Sequence, residues 1–587
     1  MTWATVATLI DFAAPDATDP GAALRCAFGP ALHTLVAHQP EQVRPLLAQV
    51  ERAAQQGCWC VGYLRYEAAA AFDSAFEVHA PDGPLAWFGV YAAALPWPAI
   101  EPGAAARAQW SSGLARADFD RQLERIARAI EAGELYQVNY TASLHGELQG
   151  DALALFQALQ RAQPGGYAAY IDSGDEQLLS VSPELFFHWQ DNQLLMRPIK
   201  GTAARGADPS DDARQAERLR ASPKERAENV MIVDLIRNDV SRLALPHSVA
   251  VPHLFGLTAL PTVWQMSSDV RARTRAGTTL ADVFAALFPC GSVTGAPKVQ
   301  AMRMIHALEP QPRGVYCGAI GVLRPGGAAT FNVAIRSVSA RAGRLRCGIG
   351  SGITADASAS GEWAEWQHKR AFLERASAPF ELLQTLALQD GAYDHAPAHL
   401  ERMARAAAHF GYPWPDAAVR AALHALAVQH PQGAWRLRLR LDAQAQVHAE
   451  AFPLEATPTP VRLQLAASAF EAASSEFVRF KTTRRAHYDA AAASTDPTLF
   501  DTVLWNPRGE LTECTRANLA LLIDGRWVTP ALHCGLLDGV GRAHWLRQGR
   551  LVEAVVHLDD LPRVQAWAWI NSLRGWLAAE CVGAKPE

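Results

Sequence analysis

Residues 224–239 read KERAENVMIVDLIRND, and residues 348–369 read GIGSGITADASASGEWAEWQHK. In the first stretch Glu225 and Glu228 stand three apart, and Ile232 and Leu235 continue the stripe, which predicts a helix over 223–239 with carboxylates on a half-apolar face. The second stretch repeats the arrangement: Glu362 and Glu365 share a face, with Lys369 one turn further on, in a helix expected over 361–375. Taken singly, such a pair is an ordinary solvated helix face. Two pairs on half-apolar helices are costly unless something neutralises them, and Mg²⁺, a hard cation that takes oxygen ligands and keeps waters, would do so. GIGSG (348–352) lies between them and reads as a loop whose amides could cradle a carboxylate.

Outward from these helices the chain alternates strand-like and helix-like segments. Strands are expected at 136–141, 166–172, 178–181, 194–199, 316–323 and 330–338, and helices at 118–133 and 298–307. Near 374–380 the pattern changes to a new αβ unit, with a helix at 399–410 and strands at 435–441 and 461–465. The expected class is α/β (α+β): a large sandwich over 1–375 and a smaller domain over 376–587. The 587 residues are too many for one core.

Composition excludes several classes. A net charge of -5, with 54 Lys and Arg spread along the chain, gives no electrostatic case for nucleic acid. Nine scattered cysteines with no CxxC pair fit a reducing compartment rather than a disulfide scaffold or zinc site. No run of 18 apolar residues would span a membrane, and the first dozen residues lack a basic leader pattern. The expected location is the cytoplasm.

Seven motifs occur in order: YQVN (136–139), SPELF (182–186), RPIKGT (197–202), the acidic helix 228–239, GSVTGAPK (291–298), GVYCG (314–318) and 348–369. Together, over roughly 60–375, they resemble the chorismate-utilising family of anthranilate, isochorismate and aminodeoxychorismate synthases. The resemblance implies a large sandwich of two antiparallel-type sheets and a Mg²⁺ requirement. It implies Glu228 and Glu365 as principal Mg²⁺ ligands assisted by Glu225 and Glu362, and Tyr316, Arg336 and the amides of Gly350 and Gly352 around the substrate. Gln137 and Thr202 join that substrate set, Lys369 adds charge beside the metal, and Glu184 is the general acid. Anthranilate synthases carry Ala where Lys200 stands. The PIKGT form is similar to aminodeoxychorismate synthases, in which a lysine attacks C2 of chorismate and ammonia then enters at C4. Gln265 occupies a place where many members have His, which fits a domain that stops at the aminated intermediate. No cysteine has the G-x-C-x-G setting of a glutaminase nucleophile; Cys290, Cys317 and Cys347 lack the preceding Gly. A separate glutamine amidotransferase subunit is therefore the expected ammonia source.

The last third carries FVRFKTTRRAHY (477–488), GELTECTRAN (509–518) and CGLLDGVGR (534–542). Pyridoxal phosphate asks a protein for a lysine, an acid at the pyridine nitrogen and a phosphate cup. Lys481, Glu513 and the glycine turn containing Val540 and Gly541 can supply these, with Arg402 in HLER (399–402) a second phosphate candidate. The motifs resemble the fold-type IV enzymes, the branched-chain and D-amino acid aminotransferases and aminodeoxychorismate lyase. The resemblance implies that Thr515 and Asn518 steady the Glu513 loop, that Asn571 and Arg574 form a substrate-carboxylate site, and that a homodimer could form through this domain. Two departures stand out: Asp538 replaces a common Pro, and the usual initial hairpin before 380–385 is missing. The combined expectation is a two-headed enzyme taking chorismate to para-aminobenzoate. An anthranilate synthase component I fused to a fold-type IV aminotransferase is the alternative.

Overall fold

In a computed structural model, residues 6–16, 20–98, 106–206, 209–260, 263–493 and 496–582 are described. The chain divides into two compact units, Met1–Pro379 and Phe380–Glu587.

The first unit is built on two ten-stranded sheets whose pairings are antiparallel. Alternation along the strands makes four layers. Ile10, Ile171 and Leu178 of one sheet meet Val61, Ile320 and Val322 of the other in a shared inner core. The opposite faces carry Leu9 and Leu179 on one sheet and Ala319 and Leu323 on the other. These pack under helices, including Lys298–Leu308 and Ala359–Ala376 on the first sheet and Pro223–Ser241 on the second. Ser222 caps the Pro223–Ser241 helix by accepting from the Glu225 amide, and Ser358 caps Ala359–Ala376 by accepting from Gly361.

Two expectations are corrected here. Residues 348–352 are not a loop. They lie inside the strand Arg344–Ile353, with Gly350 opposite Thr141 and Gly352 opposite Asn139 on the strand Gln137–Gly150. Glycine is needed there for close approach: a Cβ on Gly350 would stand 2.5 Å from Thr141 Cγ2. Residues 330–338 are not one strand either. Ala329–Val333 belongs to one sheet and Ser337–Arg341 to the other, and the chain crosses between them at Ala334–Arg336, with Arg336 at φ 52°.

The second unit has a four-stranded antiparallel sheet containing Leu382–Gln389 and Ala434–Leu441, packed on the helix Ala396–Phe410. An eight-stranded mixed sheet runs from Leu511–Cys514 at one end to Val552–Ala554 at the other. Its core is Leu463, Val503, Leu519, Leu521 and Trp569.

Candidate active sites

In the first unit Ile199–Ala204 is an end strand of its sheet, and its pairing with Val263–Arg273 slips between Ile199 and Thr202. This irregularity falls on Lys200 and Gly201. Gly201, at φ 93°, makes the turn that an L side chain rarely adopts, and a Cβ there would meet Glu225 Oε2 at 3.1 Å. The bulge directs half-buried Lys200 across to the other sheet: its Nζ lies 3.1 Å from where a Cβ on Gly352 would sit, and Gln137 Nε2 lies 2.4 Å from the same point. Gln137 is buried, and its Oε1 has no partner.

Glu184 is buried near Lys200, and its Oε1 is likewise unpartnered. Burial pushes its carboxyl up to about 7, against the opposing pull of Ser292 and the Lys200 charge. It is thus poised between acid and base near neutrality. Burial also raises Glu225, Glu228 and Glu362, with mutual repulsion among the acids contributing, and the Lys200 charge lowers Glu225 and Glu228. Glu365 is held down: burial acts upward, but the Lys369 contact and charge together with the Lys200 and Lys224 charges outweigh it, with Lys369 Nζ 2.7 Å from Glu365 Oε1 and 2.9 Å from the Gly350 carbonyl.

The four glutamates do not form a ready-made cage. Among the described residues no three His, Cys, Asp or Glu side chains converge on one metal position. They come from two helices, and Glu362 Oε2 already accepts from Ser351 Oγ at 2.6 Å. Mg²⁺ asks for less, since one or two carboxylates with waters and substrate oxygens suffice. Half-buried Glu225 and Glu228, buried Glu362 and the more exposed Glu365 set oxygen donors together that a hard divalent cation accepts.

The remaining expected residues are spread. Tyr316 packs its ring against Gly348, where a Cβ would be 2.1 Å from Tyr316 Cδ1. Arg336 donates to the Lys369 carbonyl at 2.8 Å and lies over Phe372, and burial lowers its pKa. Thr202 is exposed just beyond the bulge, opposite Gln265. Sequence reasoning passed over Ser292 and Ser351. Ser292 sat inside a quoted motif, but nothing local showed that it faces Glu184.

The second unit encloses a cavity of about 830 Å³ lined by Lys481, Glu513, Arg402, Gly541, Asn571 and Arg574 among others. Burial, then the charges of Arg402 and Arg485, bring Lys481 down to about 7. Glu513 is buried; its Oε1 accepts from Tyr488 Oη at 2.5 Å, and its Oε2 accepts from the Leu537 amide at 3.2 Å and from Asn518 Nδ2 at 3.3 Å. Burial raises it to about 7. Tyr488 was not foreseen as its partner, though it closes the lysine motif seven residues on. Thr515 Oγ1 donates to Asp501 at 2.6 Å.

The helix Val540–Arg547 opens at Gly539 without a side-chain cap, so its first amides remain for an anion. Gly541 must be glycine, because a Cβ would stand 2.5 Å from the Asn571 carbonyl carbon. Asn571 Oδ1 is taken up by the Leu573 and Arg574 amides, and Arg574 donates to the Glu455 carbonyl at 2.8 Å and to Thr457 Oγ1. An amine near neutrality, a buried acid, a free helix start and a buried arginine fit pyridoxal phosphate.

The two units match two enzyme families. Residues 96–375 match the family model of chorismate binding enzymes and residues 381–580 that of class IV amino-transferases, so the chain carries a chorismate-binding domain followed by an amino-transferase class IV domain. Among relatives, the aminodeoxychorismate synthase component 1 of Salmonella typhimurium is 40% identical over 272 residues, 46% of this chain and 59% of that protein. The anthranilate synthase component 1 of Streptomyces coelicolor is 36% identical over 266 residues, 45% of this chain and 52% of that protein. The chain thus spans less than two thirds of these relatives. The crystal structure of anthranilate synthase component I from Streptococcus pneumoniae shares the fold of the first unit, with a TM-score of 0.51 at 23% identity over 62% of this chain and 90% of that one. No described helix is long and apolar enough to cross a membrane.

Proposed function

We propose that the chain makes 4-aminobenzoate from chorismate in two steps, amination in the first unit and pyruvate elimination in the second. The observation that carries this reading is Lys200, a half-buried amine set by a strand bulge between Glu184, Gln137 and the acidic helices. By the resemblance that RPIKGT carries, anthranilate synthases have Ala at this place.

In the first unit, Lys200 Nζ forms a bond to C2 of chorismate as the C4 hydroxyl leaves. Protonated Glu184 gives that hydroxyl its proton, so that water departs. Ammonia then bonds to C4 and the Lys200–C2 bond breaks, returning the amine. Glu228 and Glu365, with Glu225 and Glu362 behind them, would hold Mg²⁺, which supplies positive charge for a substrate carboxylate. Tyr316, Arg336 and Lys369 flank the substrate. A separate glutamine amidotransferase supplies ammonia.

In the second unit, bound pyridoxal phosphate supplies an electron sink. Glu513, steadied by Tyr488 and Asn518, would hold the pyridine nitrogen, and the Val540 and Gly541 amides with Arg402 would take the phosphate. Lys481 Nζ, its pKa about 7, removes the C4 proton of the aminated substrate; the C3–O bond breaks as the ring becomes aromatic, and the departing enolpyruvate takes up a proton to become pyruvate. Arg574 and Asn571 orient a carboxylate. Nine free thiols agree with a cytoplasmic site.

Incubation with chorismate, ammonium, Mg²⁺ and pyridoxal phosphate should yield 4-aminobenzoate and pyruvate. Lys200→Ala should abolish the amination and leave elimination from supplied aminodeoxychorismate intact. Fluorescent anthranilate as the product, or equal loss of both steps in Lys200→Ala, would overturn the proposal.

A further inference from the structure

Behind the cavity of the second unit lies a buried polar triad. Gln384, on the strand Leu382–Gln389, and His399 and Arg402, three apart on the helix Ala396–Phe410, are all more than nine-tenths buried. Gln384 Oε1 is 2.6 Å from an Arg402 terminal nitrogen and 2.9 Å from His399 Nδ1. The same strand is tied to the lysine, since the Leu383 amide donates to the Lys481 carbonyl at 3.0 Å.

The protons follow from these contacts. A guanidinium only donates, so the Gln384 atom facing it is the carbonyl oxygen, and the amide cannot be flipped. That oxygen only accepts, so His399 Nδ1 carries the hydrogen. His399 is then the neutral Nδ1–H tautomer, with a bare lone pair on Nε2, which is buried and unpartnered. Burial, reinforced by the Arg402 and Lys481 charges, drives the imidazole pKa down to about 2 and keeps it neutral.

Arg402 hydrogen-bonds only to neutral groups, and the Asp538 and Glu513 carboxylates act on it from beyond contact distance. Besides Gln384 it donates to the Asp538 carbonyl at 3.2 Å; its Nε is buried and unpartnered, and the Asp538 carboxylate is turned to Arg405 at 3.7 Å. A buried guanidinium without a counter-ion in contact is costly. An anion in the cavity that Arg402 lines would remove that cost. A carboxylate in place of the Gln384 amide would instead neutralise the guanidinium internally.

We propose that Gln384 is a positioning residue: with neutral His399 it holds Arg402 in place without discharging it, so that the guanidinium is kept for a phosphomonoester dianion. This rests on the reading of the second unit as a pyridoxal phosphate site. The test is equilibrium binding to the full-length apoprotein, with pyridoxal phosphate and phosphate-free pyridoxal as probes. Gln384→Glu should weaken pyridoxal phosphate about tenfold or more, as a charge-assisted contact is lost, and leave pyridoxal within about twofold. Equal weakening of both probes, or no change for pyridoxal phosphate, would overturn the proposal. Wild-type apoprotein that binds neither probe would instead sink the cofactor reading itself. Selective ¹⁵N labelling of histidine in the wild type, which needs no variant, should show His399 protonated at Nδ1 and not at Nε2; the reverse tautomer would also end it.

Discussion

Two lysines carry the chemistry in the proposed reactions, and their surroundings differ. Lys481 is enclosed among Arg402, Arg485 and Glu513, and burial with the two arginine charges brings its pKa to about 7. The sign has a kinetic consequence. Below about pH 7 the amine is protonated and cannot attack the aldehyde of pyridoxal phosphate; above it the free amine is fully available. Covalent capture of the cofactor by apoprotein, followed by absorbance, should rise through a midpoint near pH 7 and then level off. A rate still climbing toward about pH 10.4, the range of an ordinary lysine, would contradict the enclosed site. Lys200 is placed by geometry instead, and its motif announced it; what the motif could not announce was the pair of unpartnered acceptors beside it, Gln137 Oε1 and Glu184 Oε1.

At the scale of elements, the GIGSG strand decides the shape of the first site. Gly348, Gly350 and Gly352 alternate with Ile349, Ser351 and Ile353, whose side chains are buried. Their bare faces meet the Tyr316 ring, Thr141, and the ends of Gln137 and Lys200. Gly352→Ala would place a methyl 2.4 Å from Gln137 Nε2 and 3.1 Å from Lys200 Nζ. Both are ends of side chains that can move, so the fold should survive while the amine is displaced. A displacement near 1 Å costs about 100-fold in rate. Amination should fall by that order with elimination unchanged; undiminished amination would remove Lys200 from the reaction. The strand was misread as a loop because three glycines in five residues are a turn signal locally. Its ten-residue pairing with Gln137–Gly150 lies some two hundred residues away in sequence and leaves no local trace.

At the scale of the molecule, each unit has its own core: the inner and outer layers of the double sheet in one, and the clusters around Leu439 and Leu519 in the other. Calorimetry should therefore resolve two unfolding transitions. Pyridoxal phosphate at about 100 times its Kd should stabilise one of them by about 2.7 kcal/mol and leave the other in place. A single transition that moves as a whole would show that the two cores unfold together.

The order of motifs in the chain was sufficient for the two domain classes and for singling out both lysines and the acidic helix faces as candidates, because these rest on residue types at short spacings. Only the tertiary structure decided what surrounds them. The bulge at Lys200–Gly201, the crossing of Arg336 between two sheets, the Ser351 contact that engages Glu362, and the Gln384–His399–Arg402 triad all depend on pairings between distant segments. Hydrogen-bond direction and burial are properties of the packed interior, and no local window of sequence contains them.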